Sequence, residues 1–157
     1  MPIALKSHGI RQAVPIDLCH AAVAQRSHAV QQGGPVPQTP PVIAIVDDDV
    51  SLQRALARLL RAMGWQAVTF ASAEAFLQAG LQMSLDCLVL DVWLPGMSGV
   101  ALLEHLETLG RTLPVILITG RDDAQMRLRA AQTGAVAYLR KPLDEQDLQR
   151  ALQRVLG

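Results

Sequence analysis

The sequence has few of the residues that mark several common classes of protein. Only two of its 157 residues are cysteines, Cys19 and Cys87, and their spacing fits neither a disulfide framework nor a zinc site. No apolar run reaches the roughly 18 to 20 residues of a membrane helix, and the amino terminus lacks the uninterrupted apolar segment of a secretory signal. The sequence therefore predicts a protein of the reducing cytoplasm with no membrane segment.

An excess of charge of either sign is also missing. The 14 basic residues balance the 14 acidic residues, so no overall basic field favours an anionic membrane or direct binding of nucleic acid by this chain. Half of the residues are hydrophobic, which is enough for one domain with a buried core.

Proline is concentrated at the amino terminus. Residues 1–41 hold six of the nine prolines and three of the four histidines, and their GGPVPQTPP stretch ends where apolar patterning begins. This composition predicts a disordered amino-terminal extension over residues 1–41, with a short helix as the alternative. The folded domain is predicted to comprise residues 42–157.

That domain alternates short apolar runs with segments of helical periodicity. The predicted strands are residues 42–46, 66–70, 87–90, 115–118 and 136–139. In the first helical segment, the predicted apolar stripe consists of Leu52, Ala55, Leu56, Leu59 and Met63. Candidate N-caps for the later helices are Ser72, Ser98, Asp122 and Asp144.

Strand–helix alternation predicts parallel strands joined by right-handed crossovers, with helices on both faces of the sheet. The first, third and fourth runs are wholly apolar, as expected for central strands, whereas the second and fifth include polar residues. The predicted fold is α/β, a flavodoxin-like (βα)₅ doubly wound sheet of order 2-1-3-4-5, and another order with the same edges stays open.

Polar residues follow four of the five predicted strands. They are Asp47, Asp48 and Asp49 after the first, Asp91 after the third, Thr119 after the fourth and Lys141 after the fifth. The carboxyl ends of parallel strands line one crevice, so these side chains are expected to converge there.

The run of three aspartates predicts a metal site. One aspartate suffices to cap the following helix, and adjacent carboxylates near Asp91 repel one another unless a cation lies among them. Mg²⁺ is the cation that such oxygen ligands favour, with Asp48 and Asp91 as the best direct ligands.

Asp91 is the candidate nucleophile, since a carboxylate can form an aspartyl phosphate. The alternative is that Asp91 simply makes a turn before Pro95.

Thr119 is positioned to bind a phosphoryl oxygen or, alternatively, a nearby backbone group. Lys141 is the domain's only lysine in a chain with 12 arginines, which favours a role for its compact ammonium as a point charge.

These residues stand in motifs that resemble the four signature regions of two-component response regulator receiver domains. The motifs are VDDD (46–49), LDVWLPGMSG (90–99), LITG (117–120) and YLRKPL (138–143), and the resemblance covers residues 42–156. The SAEAFL and ITGRDD segments look most like receivers of nitrogen-fixation and quorum-type (LuxR-like) regulators.

The resemblance implies that a histidine kinase or histidine phosphotransfer protein phosphorylates Asp91. It implies that Mg²⁺ is held by Asp47, Asp48, Asp91 and the backbone carbonyl of Trp93. A downstream protein, or a second copy of the chain, is expected to bind through the fourth helix, fifth strand and fifth helix.

The same resemblance assigns further roles. Thr119 and Lys141 would contact the phosphoryl oxygens, and Tyr138 would be the aromatic switch that turns inward as Thr119 moves. The Lys141–Pro142 bond matches one that is usually cis in the family.

Trp93 is unusual at its position, where the family often carries Asn, Arg or Met. Its bulk is expected to shield the acyl phosphate from water and slow autodephosphorylation. The alternative is a ring that lies flat on the surface or contacts a partner.

Two other functions remain as alternatives to a signalling phosphoacceptor. A haloacid-dehalogenase-type phosphatase would use Asp47 as its nucleophile, but it needs inserted flap elements after the first strand. A pseudo-receiver would lack some of the acids or the lysine, and none is missing. No output domain is expected in this chain, which is either a stand-alone receiver or a fragment of a longer regulator.

Overall fold

A computed structural model describes residues 39–121 and 123–157. The amino-terminal extension therefore lies outside the described residues except for its last three positions. The chain divides into two compact units. One consists of Pro40–Leu81 and Leu85–Gly157 and contains the sheet, and only residues 39 and 82–84 of the other are described.

The sheet has five parallel strands. They are β1 (Val42–Val46), β2 (Gln66–Phe70), β3 (Cys87–Asp91), β4 (Val115–Thr119) and β5 (Ala137–Arg140). Their order is β2-β1-β3-β4-β5, which confirms the flavodoxin-like prediction. Asp91 and Thr119 are the last residues of their strands, paired in register with Ile118 and Arg140 respectively, so the sheet itself fixes their backbones.

Five α-helices connect and follow the strands. They are α1 (Val50–Ala62), α2 (Ala73–Ala79), α3 (Gly99–Thr108), α4 (Ala124–Gln132) and α5 (Glu145–Leu156), with a 3₁₀ turn at Gly80–Gln82. Ser72, Ser98 and Asp144 cap α2, α3 and α5 as predicted. The predicted cap of α4 was wrong, because Asp123 accepts from the amides of Gln125 and Met126, whereas Asp122 lies outside the described residues.

The apolar face of α1 is also rotated from its prediction. Its buried residues are Gln53, Leu56, Ala57 and Leu60. Of the predicted stripe, Leu52 and Leu59 are only partly buried and Ala55 is exposed. The reason is that the helix buries the polar Gln53 near its amino terminus, and a search for apolar periodicity does not register a buried polar residue.

The core lies on both faces of the three central strands, which are buried along their whole length. On one face, isoleucines of β1 and β4 pack against α1 and α5, where Leu148 and Leu152 are buried. Alternate residues of the strands, such as Leu88 and Leu117, point to the opposite face and are also buried. Exposed positions in β2 and β5 confirm that these two strands are the edges.

Cys87 is a free and fully buried thiol in β3, and burial raises its pKa to about 12.

Within residues 39–121 and 123–157, no helix is both long and apolar enough to cross a membrane.

The chain turns tightly after β3 so that α3 begins against the end of the strand. The Gly99 amide donates to the carbonyl of Val92 at 3.0 Å. A Cβ on Gly99 would lie 2.1 Å from the Asp91 carbonyl oxygen and 3.1 Å from Leu90 Cγ. Only glycine fits there, and the close contact fixes the backbone of Asp91.

We expect Gly99→Ala to lower the free energy of unfolding by about 1–3 kcal/mol, the usual cost of forcing extra atoms into a packed site. Urea denaturation followed by circular dichroism measures the change. Gly120→Ala is the matched control, since its Cβ would meet only Lys141 Cδ at 3.7 Å. Equal stability of the two variants would contradict this account of the turn.

Candidate functional site

Three side chains from different strand ends meet at the carboxyl edge of the sheet. Asp47 follows β1, Asp91 ends β3, and Lys141 follows β5. The Lys141 Nζ lies 2.8 Å from Asp47 Oδ2 as an ion pair and donates a hydrogen bond of 3.1 Å to Asp91 Oδ2. The predicted convergence of these groups is therefore present in the fold.

Both carboxylates are buried and held in fixed orientations. Asp47 is 0% and Asp91 3% exposed. Asp47 Oδ1 accepts from the Asp49 amide at 2.8 Å, and Asp91 Oδ1 accepts from the Trp93 amide at 3.1 Å. In each acid, one carboxylate oxygen accepts a hydrogen bond from a backbone amide, and the other forms an ion pair with Lys141.

Burial by itself shifts the pKa of an acid upward and the pKa of a base downward. Desolvation raises the pKa of Asp91, and the nearby charge of Asp47 adds to this, while the Trp93 amide and Lys141 oppose it. Desolvation alone would lower the pKa of Lys141, but its contacts with Asp47 and Asp91 outweigh it and raise that pKa. The ammonium therefore remains charged and offsets one of the two buried carboxylates.

The acidic residues fit a hard divalent cation. Asp47, Asp48 and Asp91 can each offer one carboxylate oxygen within 4.8 Å of the others, and Asp48 is exposed at the mouth of the site. Oxygen donors of this kind are what Mg²⁺ prefers. Asp49 instead caps α1 through the amides of Ser51 and Leu52. Capping therefore falls to Asp49, and metal binding by the other aspartates stays a prediction.

Thr119 is engaged locally in this structure. Its Oγ1 donates to the Arg121 carbonyl at 2.9 Å and accepts from the Arg121 amide at 3.2 Å. This is the alternative that the sequence left open, and its contact with a phosphoryl oxygen stays a prediction.

The remaining predicted residues surround this cluster. Tyr138 pairs in register with Leu117, and its hydroxyl is shielded from solvent without a hydrogen-bond partner among the described residues. The Lys141–Pro142 peptide bond is cis. Trp93 is partly buried, with the Arg121 guanidinium 5.2 Å from its ring centroid, while the role of the Trp93 carbonyl stays a prediction.

Two residues that support the site were missed by sequence reasoning. The buried Gln53 side chain donates to the carbonyl of Asp47 and, at 3.3 Å, to that of Phe70, which ties α1 to the ends of β1 and β2. Glu74 in α2 accepts from the Met97 amide at 2.9 Å and so holds the loop between β3 and α3. A polar residue inside an apolar helical face was the only signal for Gln53, and Glu74 had none.

Glu74 is expected to protect the Met97 amide from hydrogen exchange. That bond is the main cause of a lowered pKa for the Glu74 carboxyl. Because the folded pKa is depressed, protection should be complete above the ordinary glutamate pKa and be lost as pH falls through the folded value. Glu74→Ala should remove the protection at every pH.

Amide exchange followed by NMR measures this effect as a protection factor. Glu104→Gln is the matched control, because Glu104 pairs with Arg129 and has no bond to this loop. Protection of Met97 that survives in Glu74→Ala would show that the loop does not depend on the carboxylate.

Comparison with known proteins agrees with the fold. A model of the response regulator receiver domain family matches residues 43–153. Nodulation protein W of Bradyrhizobium diazoefficiens is 41% identical over 118 residues, covering 75% of this chain and 52% of that protein. Transcriptional regulatory protein FixJ of Azorhizobium caulinodans is 37% identical over 122 residues, covering 78% of this chain and 57% of that protein.

The crystal structure of a response regulator receiver protein from Burkholderia phymatum is 42% identical, with a TM-score of 0.66 over 74% of this chain and 95% of that one. This chain spans about half the length of the relatives named above. FixJ and nodulation protein W confirm the predicted likeness to nitrogen-fixation-type receivers. The chain belongs to the response regulator receiver domain family.

Proposed function

We propose that this chain accepts a phosphoryl group on Asp91 from a histidine kinase or a histidine phosphotransfer protein and passes the signal on by changing its contacts with a partner. The observation that carries the proposal is the single ammonium of Lys141 between the buried carboxylates of Asp47 and Asp91. Two buried acids with one partly exposed base leave a negative site, and Asp48 adds a further negative charge at its mouth. The cytoplasm is the compartment in which we place this reaction.

In the proposed transfer, a carboxylate oxygen of Asp91 forms a bond to phosphorus as the bond from phosphorus to the donor's imidazole nitrogen breaks. Lys141 already donates to Asp91 Oδ2 and lies where it can donate to a phosphoryl oxygen. The Trp93 amide keeps the carboxylate oriented through Oδ1. When bound by Asp47, Asp48, Asp91 and the Trp93 carbonyl, Mg²⁺ would supply the positive charge that this attack requires.

The proposed response starts at Thr119, whose hydroxyl would leave Arg121 to bind a phosphoryl oxygen. Tyr138 lies on the neighbouring strand, on the sheet face shared by Leu117 and Thr119, so it is placed to follow that movement. A partner protein or a second copy would bind at α4, β5 and α5, where Leu128 of α4 is 63% exposed and Val136, the residue before β5, is 39% exposed.

The arrangement of β1 and α1 argues against a phosphatase that uses Asp47. Three residues separate Val46 from Val50, which leaves no inserted flap between strand and helix. The Asp47 carboxylate is also occupied by Lys141 and by the Asp49 amide. A pseudo-receiver is disfavoured because the acids and the lysine converge as a functional set.

Phosphorylation with acetyl phosphate and Mg²⁺ tests the proposal. We expect one phosphoryl group per chain, and borohydride reduction followed by peptide mass spectrometry should place it on Asp91. Asp91→Asn should abolish the modification, while Asp49→Asn, which alters only the cap of α1, should retain it. A label on Asp47 would instead support the phosphatase, and no label at all would support the pseudo-receiver.

We expect Trp93→Asn to shorten the phosphoryl half-life several-fold, because the smaller side chain admits water to the acyl phosphate. Loss of label over time, measured after removal of the phosphodonor, gives the rate. The control is Trp65→Phe, which changes the other tryptophan next to the amino end of β2. A half-life in Trp93→Asn equal to that of the unaltered chain would count against shielding.

A further inference from the structure

The Thr119 hydroxyl is fixed by two hydrogen bonds to a single residue. It donates to the Arg121 carbonyl and accepts from the Arg121 amide. With its proton given to that carbonyl, the hydroxyl has none to donate toward Asp91. The conformation of the turn at residues 119–121 therefore decides whether the hydroxyl is available to a phosphoryl group.

The Arg121 side chain joins this turn to the loop that follows β3. Its guanidinium carbon lies 5.2 Å from the centroid of the Trp93 ring, a cation–π contact. Trp93 is bound in turn to the phosphoacceptor, since its amide donates to Asp91 Oδ1. The stack thus connects the loop that follows Asp91 with the turn that follows Thr119.

We propose that Arg121 is a positioning residue whose stack on Trp93, the Arg121–Trp93 clasp, holds the Thr119 hydroxyl away from Asp91. The clasp must open before Thr119 can bind a phosphoryl oxygen. This inference rests on the proposed function, because it assumes a phosphoryl group at Asp91. It assigns to Arg121 a role separate from those of the acids, the lysine and the threonine.

Loss of the clasp is expected to change the affinity for a phosphoryl group in one direction. Opening it removes an exposed cation–π contact, so its loss should favour the engaged state of Thr119 by about two- to fivefold. An arginine that acted only as a positive charge near the site would attract the phosphoryl group, and its loss would weaken binding. The two roles for Arg121 therefore predict opposite changes in affinity.

Beryllofluoride with Mg²⁺ is the probe, because it mimics an acyl phosphate without turnover. In a Trp65→Phe background, emission from Trp93 reports binding as the beryllofluoride concentration is raised. We expect Arg121→Ala to bind about two- to fivefold more tightly than the parent, and Arg121→Lys, which keeps a cation over the ring, to lie nearer the parent. In a Thr119→Val background Arg121→Ala should produce no tightening, because no hydroxyl remains to be released.

A second measurement needs neither metal nor beryllofluoride. Trp93→Leu should accelerate hydrogen exchange of the Arg121 amide, which donates to Thr119 Oγ1. The Val92 amide, which donates to the Ile118 carbonyl at 2.9 Å, is the internal control and should not change.

The outcomes separate the clasp from the proposed function. Failure of the parent to bind beryllofluoride would overturn the proposed function and the clasp together. Binding by the parent that weakens or stays the same in Arg121→Ala would overturn the clasp alone. Tightening that persists in the Thr119→Val background would also overturn the clasp. The same conclusion would follow if Trp93→Leu left the hydrogen exchange of the Arg121 amide unchanged.

Discussion

One ammonium shared by two buried carboxylates is the constraint on which the site depends. Charges removed from water are costly unless they are paired, and Lys141 pairs with both Asp47 and Asp91. The pairing is possible only because β1, β3 and β5 end at the same edge of the sheet. Other contacts maintain that alignment, since Gln53 holds the backbone at Asp47 and Gly99 lets α3 begin against Asp91.

Three polar side chains of the site already have hydrogen-bond partners in this structure. Lys141 is bound to Asp91, Thr119 to Arg121, and Asp91 to the Trp93 amide. Under the proposed function, binding a phosphoryl group would therefore exchange these partners rather than fill free positions. Each exchange would loosen a contact on a different loop and so give a chemical change at one aspartate a physical route to the surface of the fold.

Much of this could be predicted from the sequence because it depends on local patterns. Apolar runs gave the five strands to within a residue, and the polar residues after them identified the crevice and its acids. Lys141 was recognisable because the domain otherwise uses arginine. The supporting contacts could not be predicted, since Glu74 with Met97 and Arg121 with Trp93 are pairs that meet only through the tertiary fold. The phase of α1 was also misjudged, because its buried face includes the polar Gln53.

A crystal structure with Mg²⁺ and beryllofluoride tests the central claim most directly. The account predicts beryllium bonded to a carboxylate oxygen of Asp91, with Lys141 Nζ and Thr119 Oγ1 donating to fluorides and the Thr119 bonds to Arg121 broken. Beryllofluoride bonded to Asp47, or bonded to Asp91 with Lys141 and Thr119 still on their present partners, would contradict it.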